Sequence, residues 1–202
     1  MTYKKILLTL LTAAVCCTSL QAQTAKSVLD KVSAVLSNKG GFTAGFTSSG
    51  ATHTAVAGTI AVKGQKFQAT TPIAVIWFDG KTQWTYMKKN EEVNVAHPTE
   101  AQLQTLNPYN FINIYKSGYN LSLTAKGNNH EVHLKAKDSK RNIQEMYITV
   151  DKKSYVPAEV RMLLKGKWTT ITVTNFKKAQ LPDSYFQFNA KDYPKAEIID
   201  LR

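Results

Sequence analysis

Four histidines, two cysteines and a thin scatter of carboxylates are the residues of this 202-residue sequence that could ligate a metal, attack a carbon or move a proton. Their spacing argues against each chemistry in turn. His130 and His133 stand three apart in a segment that alternates as a strand, so they point to opposite faces and cannot share a metal. His53 and His97 have no ligand partner at a metal-binding spacing and read as surface or loop residues. Asp79 precedes Gly80, and a hairpin turn accounts for it. Glu91 and Glu92 are neighbours in a polar stretch, a solvated pair rather than an acid and a base. No Gly-x-Ser-x-Gly elbow, phosphate loop or metalloprotease helix motif occurs. The expectation is therefore a protein that is not an enzyme, with no catalytic residue, metal site or cofactor.

The cysteines belong to another argument. Lys4 and Lys5 precede an apolar run from Ile6 to Leu20, and the small residue Ala22 precedes Gln23. This is the layout of a secretory signal, and the run is short for a membrane span. Cys16 and Cys17 lie within it. Lipidation of either wants a small residue just before it, but Cys16 follows Val15 and Cys17 follows Cys16. The expectation is cleavage near Ala22, with residues 1–22 as signal and 23–202 as one cysteine-free domain in the periplasm. That length can bury a sizeable core.

The chain carries 26 Lys+Arg against 14 Asp+Glu, and losing Lys4 and Lys5 leaves a net charge of +10. Such a balance would suggest nucleic acid in the cytosol. Export and the scatter of the lysines argue against it, so no nucleic-acid partner is expected and the charges read as solvated strand faces. A weak attraction to anionic lipid or acidic partners is the alternative.

The elements that hold these residues follow from periodicity. Val28, Leu29, Val32, Val35 and Leu36 repeat at helical spacing, predicting an amphipathic helix over Thr24 to Lys39, stopped by Gly40 and Gly41. Most of the remainder alternates with period two. Phe42, Ala44 and Phe46 share a face, as do Leu121, Leu123 and Ala125, then Val132, Leu134 and Ala136. Met146, Ile148 and Val150 follow, then Val160, Met162 and Leu164, then Ile171 with Val173, and Phe186 with Phe188. Strands at this spacing predict a large antiparallel sheet or barrel. Between them, Thr99 with Gln102 offers a helix start. Asn107-Pro108 opens a second short helix with Tyr109, Phe111, Ile112 and Tyr115.

Two hairpins have a calculable register. A two-residue turn at Asp79-Gly80 puts Trp77 opposite Thr82, Val75 opposite Trp84 and Ile73 opposite Tyr86. One face then collects Ile73, Val75, Trp77, Trp84 and Tyr86, while Phe78 and Ile76 fall on the other, mixed face. A turn at Lys63-Gly64 puts Ile60 opposite Phe67 and Gly58 opposite Ala69. Together the hairpins are expected to present one broad aromatic and aliphatic inner surface. Each residue alone is accounted for as core; the set suggests a curved sheet with part of that surface unfilled.

The run Gly58-Thr59-Ile60-Ala61-Val62-Lys63, then Phe67, then Phe78-Asp79-Gly80-Lys81-Thr82-Gln83-Trp84-Thr85-Tyr86 resembles the LolA family, periplasmic carriers of lipoproteins in the outer-membrane localisation pathway. The likeness extends collinearly from the helix Ser27–Leu36 through Asn107-Pro108 to the closing stretch Asp183 to Asp200. It implies a mainly β, α+β fold: a half-open curved antiparallel β-barrel, with the N-terminal helix and short central helices as a lid over a hydrophobic cavity. It further implies an acyl-chain cavity lined by Phe42, Phe46, Ile60, Phe67, Ala69, Ile73, Val75, Trp77, Trp84 and Tyr86. Phe67 matches the cavity-facing aromatic position of the family. The lid would carry Leu29, Val32, Leu36, Phe111, Ile112 and Tyr115. One departure stands out. The family often places an arginine and a proline after the "V-K", and the arginine helps latch the lid; here the chain reads Lys63-Gly64-Gln65-Lys66.

The resemblance implies a monomeric shuttle that shelters acylated lipoproteins, taking them from an inner-membrane lipoprotein-releasing transporter to an unidentified outer-membrane acceptor. Two other readings stay open: a lipid- or lipoprotein-sensing domain on the same fold, and a receptor anchored in the outer membrane, which would need a lipidated cysteine. A lipid- or glycan-acting hydrolase would need a nucleophile or carboxylate pair.

Overall fold

In the computed structural model residues 24–51, 53–99, 102–103 and 114–202 are described. The expected signal segment, and Phe111 and Ile112 of the expected lid, lie outside them.

Helix α1 (Ala25–Leu36) opens on a capping box: Thr24 Oγ1 accepts from the Ser27 N–H at 3.1 Å, and Ser27 Oγ accepts from the Thr24 N–H at 3.1 Å. It buries Val28, Leu29, Val32 and Leu36. The helix stops three residues before the expected Lys39. Asn38 diverts the chain, its side chain donating to Gly41 O at 2.8 Å and its carbonyl accepting the Gly41 N–H at 2.9 Å. Gly41 turns the backbone at φ +91°, a region open to glycine.

Among the described residues twelve strands follow: β1 (Phe42–Gly50), β2 (His53–Lys63), β3 (Lys66–Thr70), β4 (Ala74–Phe78), β5 (Gln83–Met87), β6 (Glu92–Ala96), β7 (Tyr119–Lys126), β8 (Asn129–Ala136), β9 (Ile143–Asp151), β10 (Pro157–Leu164), β11 (Lys167–Lys178) and β12 (Glu197–Asp200). They form one open sheet in the order β12-β6-β5-β4-β3-β2-β1-β11-β10-β9-β8-β7. Every neighbouring pair is antiparallel except β12 with β6, which is parallel. That pair corrects the all-antiparallel expectation, and β6 itself arises in the stretch after Glu91 read as merely polar. Phe186 and Phe188, expected on a strand, belong instead to a C-terminal segment with 3-10 turns at Asp183–Phe186 and Ala190–Asp192. The Thr99 cap forms as expected, Thr99 N–H donating to Gln102 Oε1 at 2.8 Å.

Two devices shape the middle of the sheet. Between Thr43 and Gly45 the pairing with β11 slips from Lys177 to Thr174, so β11 carries one extra residue, and Asn175 there takes a left-handed φ of +51°. Such a bulge bends its strand and strengthens the local twist. Gly58, paired with Phe46, leaves room that a Cβ would fill: one built there lies 2.4 Å from Thr70 O and 2.7 Å from the Phe46 ring.

Both hairpin turns fall one residue later than the dipeptide signals suggest. Lys63 pairs with Lys66, so Gly64-Gln65 is the turn, and Gly64 takes φ +60°. In the other, Asp79 donates its N–H to Thr82 O at 3.2 Å, and Gly80-Lys81 is the turn. The cause lies in the Asp79 side chain, whose Oδ1 accepts from the N–H groups of Lys81 and Thr82 at 2.9 and 2.8 Å. Trp77 therefore faces Trp84, and Val75 faces Tyr86. A partner shift of two keeps Val75, Trp77, Trp84 and Tyr86 together on one face of the hairpin.

Candidate functional site

The inner face of the sheet is built from alternate residues of neighbouring strands. Phe42 pairs with Val62, Val62 with Phe67, and Phe67 with Phe78; the next row runs Ala44, Ile60, Ala69, Ile76. On the other half it continues through Ile171, Val160, Ile148 and Val132. Helix α1 lies over this face against β7 and β8, and Val28, Leu29 and Val32 are fully buried in the same apolar cluster. Each such side chain contributes roughly 1.5–3 kcal/mol by burial.

The expected cavity residues separate into two groups. Phe42, Phe46, Ile60, Phe67 and Ala69 meet on the inner face with Leu29, Val32, Leu36 and Tyr115. Val75, Trp77, Trp84 and Tyr86 do not join them. Gln68 pairs with Trp77, and Thr70 with Val75, so these side chains occupy the reverse face. Ile73 sits in the β3–β4 connection and is 62% exposed. The physical reason is parity. The four residues between Thr70 and Val75 place Phe67 opposite Phe78, so the inner face receives Phe78 and Ile76, the residues of the face read as mixed. Ile76 and Phe78 are the inner-face residues that the hairpin rule missed.

Most of the inner face is closed by its own side chains, Phe67 being 1% and Phe42 0% exposed. The ring pair Phe67–Phe78, 5.5 Å between centroids, fills one end. Its rim is half-buried: Phe46, Leu121, Leu123, Leu164, Val173 and Phe176 pack against the cluster without being covered by it. Phe46 and Val173 are direct partners across β1 and β11.

The described end of the central segment is tied to the helix. The Tyr115 hydroxyl donates to Asp30 Oδ1 at 2.6 Å, and Lys26 Nζ lies 2.7 Å from the other carboxylate oxygen. Burial, with the hydrogen bond to Asp30 behind it, pushes the Tyr115 phenol up to about 12. Hydrogen bonds from Lys26 and Tyr115 hold the Asp30 carboxyl below its usual range. The lysines on either side of Gly64-Gln65, where the family often has an arginine and a proline, do something else. Lys63 and Lys66 reach Asp183 at 2.9 and 2.8 Å, and Lys63 also donates to Leu181 O at 2.8 Å. They clamp the C-terminal segment to the reverse face. There Phe188 and Tyr193 pack on Trp77, with centroids at 5.6 and 5.5 Å, and Tyr193 meets Tyr86 at 4.6 Å.

His130 and His133 take opposite faces, as their spacing requires: His130 faces Tyr155, and His133 stacks on Tyr147 at 4.3 Å. Among the described residues no three His, Cys, Asp or Glu side chains converge on a metal position. Among them, too, no helix is long and apolar enough to cross a membrane.

A structure of an uncharacterized conserved protein from Thermus thermophilus shares this fold, with 13% identity, a TM-score of 0.59, and coverage of 87% of this chain and 98% of that one. A LolA superfamily protein from Nitrosomonas europaea is also similar, with 13% identity, a TM-score of 0.45, and coverage of 82% and 98%. The complex of Pseudomonas aeruginosa MucA and MucB matches with 13% identity, a TM-score of 0.46, and coverage of 83% and 62%. No curated protein matches. The family model described as outer membrane lipoprotein carrier protein LolA matches residues 15–167. With the twelve-stranded open sheet, the N-terminal helix and the apolar inner face in place, the chain belongs to the outer membrane lipoprotein carrier protein LolA family.

Proposed function

We propose that this chain is an exported periplasmic carrier that shelters the acyl chains of lipoproteins on the inner face of its sheet. The observation that carries the reading is the continuous apolar inner face, covered by one amphipathic helix and bordered by half-buried Phe46, Leu121, Leu123, Leu164 and Val173. Family membership supports it. An acyl chain leaving a membrane loses roughly 0.8 kcal/mol of stabilisation per methylene, so transit through water needs an apolar shelter. In this reading residues 1–22 are the signal. Helix α1 and the segment ending at Tyr115 act as the lid over a half-open barrel, and Tyr115 with Asp30 takes over the latching that an arginine performs in relatives. An inner-membrane lipoprotein-releasing transporter would load the carrier, and an outer-membrane acceptor would empty it.

Phe67 is too deeply packed to probe this: a carboxylate at a site 1% exposed attacks the fold itself. The rim is the place to test. A photo-crosslinking amino acid at Phe46, with one at Trp84 on the reverse face as control, should capture acylated lipoproteins at position 46 alone when the protein is isolated from periplasm and analysed by mass spectrometry. Equal capture at both positions, or capture of no acylated species, overturns the proposal.

A further inference from the structure

The reverse face holds a second feature, one that lipid carriage does not use. A groove of about 750 Å³ lies between the C-terminal segment and the outer side of β3 and β4. This is within the range of roughly 300–1,000 Å³ typical of small-molecule sites. Its walls are aromatic: Trp77, Tyr185, Phe188 and Tyr193 line it. Trp77, Phe188 and Tyr193 hold one another at 5.5–5.6 Å, so three of the rings are fixed, while Tyr185 is 44% exposed.

Set among the rings are amides and a hydroxyl from Gln68, Gln187, Asn189 and Ser184. Asn189 is oriented in advance, accepting the Lys191 N–H at 3.2 Å and donating to Asp192 Oδ2 at 3.2 Å. Gln187 is exposed. The lining has one charge, Asp192, in a chain with 26 Lys+Arg. An anionic headgroup would gain nothing there. An acyl chain would bury amide and hydroxyl groups without partners.

What these groups recognise together is a neutral ligand rich in both hydroxyls and C–H faces. Ring faces attract the C–H groups of a sugar through their negative quadrupole, and primary amides offer donors and acceptors side by side, as vicinal hydroxyls require. We propose that this groove binds a glycan, and that Tyr185 and Gln187 contact it. The site lies on the opposite face of the sheet from the acyl-chain surface and stands or falls independently of it.

The test is titration of the purified protein with chitotetraose and with maltotetraose, followed by calorimetry and by amide shifts in NMR spectra. At least one sugar should bind, with shifts centred on Gln187, Asn189 and Tyr193. Tyr185→Ala and Gln187→Ala should each weaken binding by about tenfold, roughly 1.4 kcal/mol, without changing the melting temperature. If either variant disturbs the fold, the shift map of the unaltered protein decides instead. No binding of either sugar, shifts centred elsewhere, binding indifferent to both substitutions, or displacement of the sugar by lysophosphatidylglycerol would each overturn the proposal.

Discussion

Asp183 shows how a single exposed carboxylate can organise a segment. Hydrogen bonds from Lys66 and Lys63 bring its carboxyl down to about 2 from an ordinary value of 3.8. A carboxyl lowered on folding contributes stability that is fully present above its unfolded value and is lost as pH falls through the folded one. The window therefore runs from 3.8 down to about 2. Asp183→Asn should lower the urea midpoint modestly at neutral pH, because exposed pairs are screened, and the gap from the unaltered protein should close by about pH 2. A gap that persists unchanged into acid would assign the effect to packing. At this scale the sequence was legible where spacing is local: the opposed faces of His130 and His133, the Thr99 cap, and Asp79 as a turn residue. It was silent where partners meet across the fold, as with Tyr115 and Asp30, or Asp183 and the two lysines, because nothing in a linear pattern encodes those encounters.

Strands and helix were legible because burial on one side writes a period into the chain. The apolar sets named on β1 and on β7 through β11 appear with their expected alternation except at Ala125, which is exposed, and α1 buries the expected stripe apart from half-buried Val35. Period two says which residues share a face, but not which face of one hairpin continues that of the next. That depends on the parity of the connection, and Thr71-Pro72-Ile73-Ala74 sets it. The exposed Ile73 and the aromatic richness of Trp77, Trp84 and Tyr86 pull the reading toward the wrong side, because the C-terminal segment that covers them carries no strong signal of its own. Parity also yields a prediction. One residue inserted after Pro72 would send Ile76 and Phe78 to the reverse face and Trp77 inward, so the variant should fail to fold cooperatively by circular dichroism and urea titration. Two inserted residues should cost about 1 kcal/mol, in keeping with the weak dependence of loop closure on length. Equal tolerance of both insertions would refute the face assignment.

At the scale of the molecule, the sheet remains open and has two edges to manage. β12 covers β6 in parallel, Ile198 beside Val93 and Ile199 beside Asn94, while β7 stands at the far edge. An uncovered edge is a template for pairing with other chains. Truncation after Ala196 removes β12 and bares β6. A loss of about 2 kcal/mol would lower the melting temperature by roughly 4–8 °C in a domain of this size, and light scattering on heating should rise at a lower temperature. A melt that is unchanged would mean β12 is ornamental to the sheet. The same topology has a consequence in time. β1 finds β2 immediately, but its other neighbour is β11, with Phe42 set against Lys178. At roughly 5–20 residues per second of synthesis, the centre of the sheet waits several seconds, with one side of β1 bare, for residues near the end of the chain. Its slowest pairing thus keeps the centre of the sheet unclosed until nearly the last strands have been made.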